Sequence, residues 1–205
     1  DVWDDAHQAA MAFVDKIQGG YIPPFDHPTL WAGHATLVDE LVTQMPKPDA
    51  IVAAVGGGGL LCGILQGLEQ HGWSDVAAIG VETEGAASFA ASMQAGRLVT
   101  LDKVNTIATS LAAKRIAPQL FDWSKKRSLT TLTVSDKATV AACHQFADDH
   151  RILVEPACGA ALSVVYDLPH HPQLADYHSI LVIVCGGIGI SLALLDDYLK
   201  RFFSN

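Results

Sequence analysis

Ala50-Ile51-Val52-Ala53-Ala54-Val55-Gly56-Gly57-Gly58-Gly59-Leu60 joins an unbroken apolar run of strand length to four consecutive glycines. From Leu60 the pattern turns helical as far as His71, and Gly72 is a natural stop. An apolar run that does not alternate reads as a strand covered on both faces. Outward from this unit the same grammar repeats. Strands are predicted at residues 76–81, 129–134, 152–154 and 180–184, and helices at 86–95 (closed by Gly96), 135–149 (capped by Ser135), 156–166 and 190–202. On the N-terminal side, residues 4–17 have helical spacing and stop at Gly19-Gly20. Tyr21-Ile22-Pro23-Pro24-Phe25-Asp26-His27-Pro28 is a fixed, non-helical loop, and Thr29 is placed to cap a helix over 30–45 that Pro46 and Pro48 end. Alternating strands and helices predict an α/β fold: a mostly parallel sheet with helices on both faces, whose ligands bind at the carboxyl ends of the strands.

Composition narrows the function. Of the 205 residues half are hydrophobic and 17% charged, which suits a packed core and excludes disorder. No apolar run approaches the roughly 20 residues of a membrane span, and no charged-then-apolar leader begins the sequence. The net charge of −9 with scattered basic residues argues against nucleic acid as a partner. Cys62, Cys143, Cys158 and Cys185 lie far apart with no CxxC, so they read as reduced thiols of a cytoplasmic protein. His170 and His171, between Pro169 and Pro172, read as a solvated loop and not as metal ligands.

Four glycines between a strand and a helix carry a cost in backbone entropy. A packing role usually needs one. Without Cβ atoms, successive N–H groups can converge on an anion, and the helix beginning at Leu60 adds its positive end. A phosphate cradle is the favoured reading over a tight turn beneath a crowded sheet. No Gly-Lys-Ser/Thr follows, so this is not a P-loop, and Leu61 and Cys62 break G-x-G-x-x-G. A looser match through Gly57, Gly59 and Gly63, with Glu82 in the place of a ribose-binding acid, keeps a nicotinamide-dependent oxidoreductase open. It leaves the second glycine loop, Val184-Cys185-Gly186-Gly187, unexplained. On its own Cys185 would read as a small core hydrophobe.

Six motifs appear in order: Pro23-Pro24-Phe25-Asp26-His27-Pro28, Trp31-Ala32-Gly33-His34, Val55 through Gly63, Val81-Glu82-Thr83, Leu153-Val154-Glu155-Pro156-Ala157-Cys158-Gly159-Ala160-Ala161-Leu162, and Val184-Cys185-Gly186-Gly187. Together they resemble the L-serine dehydratase/L-threonine deaminase family of fold-type II pyridoxal-phosphate enzymes over nearly the whole sequence. The resemblance implies that the amides of Gly56, Gly57, Gly58, Gly59 and Leu60 hold the cofactor phosphate. It implies that the Cys185 thiol meets the pyridine nitrogen and that Phe25 lies on the substrate side, although a loop aromatic that anchors the chain is an equally good reading of Phe25. It further implies a monovalent cation, potassium, on the Glu82 carboxylate and the carbonyls of Gly56, Ala86, Leu111 and Ala113. Without the resemblance Glu82 reads as a surface acid at a strand end. Glu155 and Cys158 read as packing at a helix start, and His34 as structural. The sequence departs from the family pattern at Gly189, where relatives carry Asn, and at Ser110-Leu111-Ala112-Ala113-Lys114, which replaces a Leu-Gly pair.

The family's cofactor lysine and its substrate-carboxylate loop would lie N-terminal to everything here. None of the eight lysines follows a strand in an apolar setting. The expectation is that these 205 residues are the large cofactor domain, the C-terminal part of a longer enzyme, inactive without the lysine-bearing segment and most of a smaller domain. The helical pattern already under way at Asp1 suits a truncation. The expected whole is a homodimer that converts L-serine to pyruvate and ammonia, and L-threonine to 2-oxobutanoate. Serine racemization or β-replacement on the same fold and a non-catalytic paralogue are the remaining alternatives.

Overall fold

Helices α1 (Trp3–Ile17) and α2 (Pro28–Gln44) precede strand β1 (Ala50–Ala54). There follow α3 (Gly59–Gln70), β2 (Ala77–Thr83), α4 (Ser88–Ala95), α5 (Pro118–Lys126), β3 (Leu129–Val134), α6 (Asp136–His150), α7 (Pro156–Tyr166), β4 (Ile180–Val182) and α8 (Leu192–Phe203). This computed structural model describes residues 3–204, without the side chain of Asp4, so the start of the helical pattern at Asp1 lies outside the described residues.

The four strands form one parallel sheet in the order β3-β2-β1-β4. Strand β1 is buried along its whole length, and its side chains divide between two layers. Ala50, Val52 and Ala54 pack with Ile79, Val81 and the small residues Ala157, Ala160, Ala161 and Val164 of α7. Ile51 and Ala53 meet Val38 of α2 and Ile64 and Leu68 of α3. Val55 joins α3, α4 and α5 through Leu61, Phe89, Leu120 and Trp123. Helices α6 and α8 complete a third layer against α7, around Val140, Cys143, Phe146, Cys158, Leu162 and Leu195. Both faces of the sheet are covered, as the non-alternating strands require.

Local differences from the sequence reading have physical causes. Residues 152–154 form no strand: Arg151 closes α6 in a left-handed conformation (φ 60°), and the segment is held to the chain after β4 by a bond from the Glu155 amide to the Gly186 carbonyl, 3.1 Å. Helix α2 is capped by His27 and not by Thr29, with the Thr29 amide donating to His27 Nδ1 over 3.2 Å and Pro28 setting the first helical φ. Strand β4 is shorter than 180–184 and only half-buried, as an edge strand is. Helix α8 begins at Leu192, where the Ser191 hydroxyl accepts from the Leu194 amide. Helix α5 went unassigned in the sequence although Pro118 marks its first turn and Leu120 and Trp123 its buried face. The predicted face of α1 forms, but Phe13 and Ile17 on it remain exposed.

Candidate active site

The cleft lies at the carboxyl end of the sheet, between the end of β1 and the chain after β4. Its volume is about 340 Å³, and its walls carry Gly56 to Gly59, Leu60, Phe25, Leu111, Ala113, Glu155 and Cys185. The structure therefore brings together every residue expected at the cofactor, and two of those expected at the cation besides Gly56. No lysine lines it.

Strand β1 delivers the glycine loop. Gly58 takes a left-handed conformation (φ 88°, ψ 3°), and α3 starts at the next residue with no side-chain cap. The first helical bond runs from the Cys62 amide to the Gly58 carbonyl, 2.9 Å. The amides of Gly59, Leu60 and Leu61 precede it, so they have no acceptor within the helix. An uncapped helix start opening on a cleft is a site for an anion. The glycines themselves are also demanded by packing. A Cβ on Gly56 would lie 2.8 Å from the Ser110 carbonyl oxygen, one on Gly58 2.6 Å from Leu120, and one on Gly59 2.5 Å from the Phe25 carbonyl oxygen. One on Gly57 would enter the Phe25 ring. The inference from four glycines to phosphate is corrected accordingly: the uncapped helix start, and not the glycine count, carries it.

Phe25 sits against this loop. The Trp31 indole N–H donates to its carbonyl over 2.8 Å, and Trp3 packs on its ring at 4.7 Å between centroids. Both readings of Phe25 meet here, since it anchors its loop and walls the cleft. His34 lines the cleft as well, from the second turn of α2.

Cys185 is exposed to the cleft, whereas Cys158 is buried behind it. The reading of Cys185 as a buried core residue is thus set aside. Cys158 donates to the Gly186 carbonyl over 3.1 Å and accepts from the Gly186 amide over 3.1 Å. The neighbouring Cys158 thiol raises the pKa of Cys185 above the ordinary thiol value, with desolvation of the sulfur adding to it, and the same interaction lowers Cys158 to about 7. Cys185 is therefore a neutral S–H at physiological pH.

Glu82, at the end of β2, has no exposed surface, so it is not a surface acid. Its carboxylate accepts from the amides of Phe89 (2.7 Å) and Ala90 (2.8 Å). Burial nevertheless pushes its pKa up to about 7, against the lowering effect of those amides. Thr83 Oγ1 and Ser88 Oγ, both C-terminal to it in sequence, are buried without a hydrogen-bond partner among the described residues. Gly56, Leu111 and Ala113 lie on the cleft wall, while Glu82 and Ala86 are buried and do not line it. The Leu111 carbonyl already accepts from the Ala113 amide over 2.8 Å.

Glu155 is the residue whose place the sequence reading missed. It precedes α7 at the N-cap, where an acid normally bonds its own helix, yet its side chain makes no such bond. Oε1 accepts from the Ser110 hydroxyl (2.7 Å) and Oε2 from the Gly189 amide (2.9 Å). Ser110 and Gly189 lie in the two stretches where the sequence departs from the family pattern.

Comparison with known proteins agrees with this geometry. Residues 1–186 match the family described as pyridoxal-phosphate dependent enzyme. The chain is 45% identical to human L-serine dehydratase/L-threonine deaminase over 205 residues, covering 95% of this chain and 62% of that protein. A fungal L-serine ammonia-lyase from Rhizomucor miehei superposes with a TM-score of 0.87 at 43% identity, covering 90% of this chain and 60% of that one. Maize serine racemase shares the fold, with a TM-score of 0.83 at 24% identity. The chain thus spans about 60% of the length of these relatives.

Proposed function

The chain belongs to the pyridoxal-phosphate-dependent enzyme family, and from that premise we propose that it forms the large cofactor domain, over residues 1–205, of an L-serine ammonia-lyase that also acts on L-threonine. The observation that carries the reading is the convergence of the uncapped start of α3 and the Cys185 thiol on one cleft. When bound, pyridoxal phosphate supplies an electron sink for negative charge at the substrate α-carbon.

The amides of Gly56 to Leu60 hold the cofactor phosphate at the positive end of α3. The Cys185 thiol would meet the ring nitrogen as a neutral partner, where a carboxylate would keep that nitrogen protonated. Such a ring is a moderate sink, which suits elimination of a β-hydroxyl better than reactions needing a long-lived carbanion. Phe25, which lines the cleft, would wall the substrate side. The Glu82 carboxylate, with the carbonyls of Gly56, Ala86, Leu111 and Ala113, holds a potassium ion that compensates the buried charge. The buried Ser88 hydroxyl without a partner, on the residue whose amide faces the Glu82 carboxylate, supports a hard cation there. Among the described residues no lysine lines the cleft, and the resemblance places the base that takes the α-proton in a lysine-bearing segment N-terminal to these residues. A cytoplasmic homodimer rests on the resemblance alone.

The test is pyruvate release from L-serine by the full-length gene product with pyridoxal phosphate and potassium present. Turnover with matching ammonia release is expected. A bound chromophore with D-serine as the product would replace the lyase with a racemase, and no bound chromophore would end the cofactor assignment.

A further inference from the structure

Glu155 joins the two ends of the cleft. Toward the glycine loop its carboxylate holds the Ser110 hydroxyl at 2.7 Å. Ser110 belongs to the turn Thr109–Leu111, which is packed on Gly56 so closely that a Cβ there would lie 3.1 Å from the Leu111 Cα. Toward the chain after β4, the other carboxylate oxygen accepts from the Gly189 amide at 2.9 Å, and the Glu155 amide donates to Gly186, the neighbour of Cys185, at 3.1 Å. The fit at Gly189 is close: a Cβ there would be 2.8 Å from Oε2. One side chain is thus bonded on one side to the wall of the anion loop and on the other to the segment that carries the thiol.

We propose that Glu155 is a positioning residue for the cofactor: its carboxylate fixes the separation between the phosphate-binding loop and the Cys185 thiol, so that phosphate and ring nitrogen are held together. The proposal rests on the pyridoxal-phosphate reading above and deepens it. A rigid cofactor has a fixed distance between its phosphate and its ring nitrogen, so a cleft that holds both needs its two walls in register. The wall segments, a single 3-10 turn at Thr109–Leu111 and the irregular chain at 185–189, are set by no strand pairing. The carboxylate supplies the missing cross-link, and charge-assisted bonds are the stronger kind for that purpose. A residue acting only as a helix cap would bond the first turn of α7, which Glu155 does not do.

The test measures pyridoxal-phosphate affinity and the absorbance and fluorescence of the bound cofactor in the full-length protein, its Glu155→Ala and Glu155→Gln variants, and Ser110→Ala alone and combined with Glu155→Ala. Glu155→Ala is expected to weaken affinity roughly tenfold or more, the loss expected when two bonds to a charged group disappear, and to shift the emission of the bound ring. Glu155→Gln keeps the shape and one acceptor oxygen, and should fall between. Ser110→Ala should add nothing once Glu155 is gone, because it acts through the same carboxylate. Variants that lose melting temperature but bind the cofactor with wild-type affinity and emission would overturn the proposal and leave Glu155 a structural residue. A wild-type protein that takes up no chromophore would instead overturn the cofactor reading beneath it. Should Glu155→Ala fail to fold, the comparison of Glu155→Gln and Ser110→Ala with wild type decides by the same two readouts.

Discussion

The Phe89 amide donates to the Glu82 carboxylate over 2.7 Å, so an acid at the end of β2 closes the N-terminus of α4 from a position with no exposed surface. Burial raises its pKa from 4.5 to about 7. The folded chain therefore holds a proton that the unfolded chain has released between these two values. The stability this contributes is complete below pH 4.5 and is lost as pH rises through about 7, up to about 3 kcal/mol if the whole shift is expressed. Melting temperature should fall between pH 5 and pH 8 by an amount that Glu82→Gln abolishes. At the proposed site potassium would need the ionised form, so it should raise the melting temperature at pH 8 and have little effect at pH 5. A potassium effect equal at both pH values, or one that survives Glu82→Gln, would remove Glu82 from the cation site.

Gly57 and Phe25 form a second coupled pair, since a methyl on Gly57 would enter the Phe25 ring. Gly57→Ala alone should displace the ring into the cleft and reduce cofactor affinity. Phe25→Ala creates room for that methyl, so the double variant should bind better than Gly57→Ala, with a coupling of roughly 1 kcal/mol or more in a double-mutant cycle. Additive effects would show that the clash is relieved without the ring. Gly58→Ala has no such rescue. Its φ of 88° is strained for any side chain, and a loss of stability of about 1 kcal/mol or more should remain whatever replaces Leu120.

At Cys185 the prediction separates donor from shape. Cys185→Ser keeps an O–H that can donate and should retain most activity in the full-length protein. Cys185→Ala removes the donor and should lower kcat roughly tenfold, with a shifted absorbance of the bound cofactor. Equal loss in both variants would mean that sulfur packing, and not donation, is what the site needs.

The sheet and its helices were legible because β1 and β2 are buried on both faces, and such strands announce themselves as unbroken apolar runs. The loop at Gly56 to Gly59 was legible for the same reason, since it punctuates one of them. Residues 97–128 were not, because irregular chain there is fixed by distant partners such as Gly57, whose carbonyl accepts from the Ala117 amide over 2.8 Å. The strand expected at 152–154 does not form because Leu153 and Val154 pack without a ladder partner and Ile152 stays exposed. Glu82 looked like a surface acid since nothing in the sequence shows that the amides of Phe89 and Ala90 fold back onto it. Glu155 was misplaced for a related reason: its helix-cap position is visible in the sequence, whereas Ser110 and Gly189, 45 and 34 residues away, become its partners only in three dimensions.

The same kind of close contact fixes α2 on α3, and it gives a stability test independent of any ligand. A Cβ on Gly63 would lie 2.7 Å from the Trp31 carbonyl oxygen, and one on Gly67 2.7 Å from the Val38 side chain. Neither contact can be relieved by rotation alone, since each involves backbone and a Cβ atom, but the approach at Gly63 is the closer: 2.3 Å from the His34 Cβ, against 2.7 Å from the Val38 Cβ at Gly67. Gly67→Ala should therefore be the milder change despite the helix propensity gained at both sites, and Gly63→Ala should be destabilising by about 1–3 kcal/mol, as overpacking is. Urea unfolding followed by far-UV circular dichroism measures both. Because Trp31 and His34 frame the loop that holds Phe25, Gly63→Ala should also weaken cofactor binding, and Gly67→Ala, one turn further along α3, should leave it unchanged. Equal destabilisation by the two would show that the helices separate as a rigid pair instead of yielding locally at each contact.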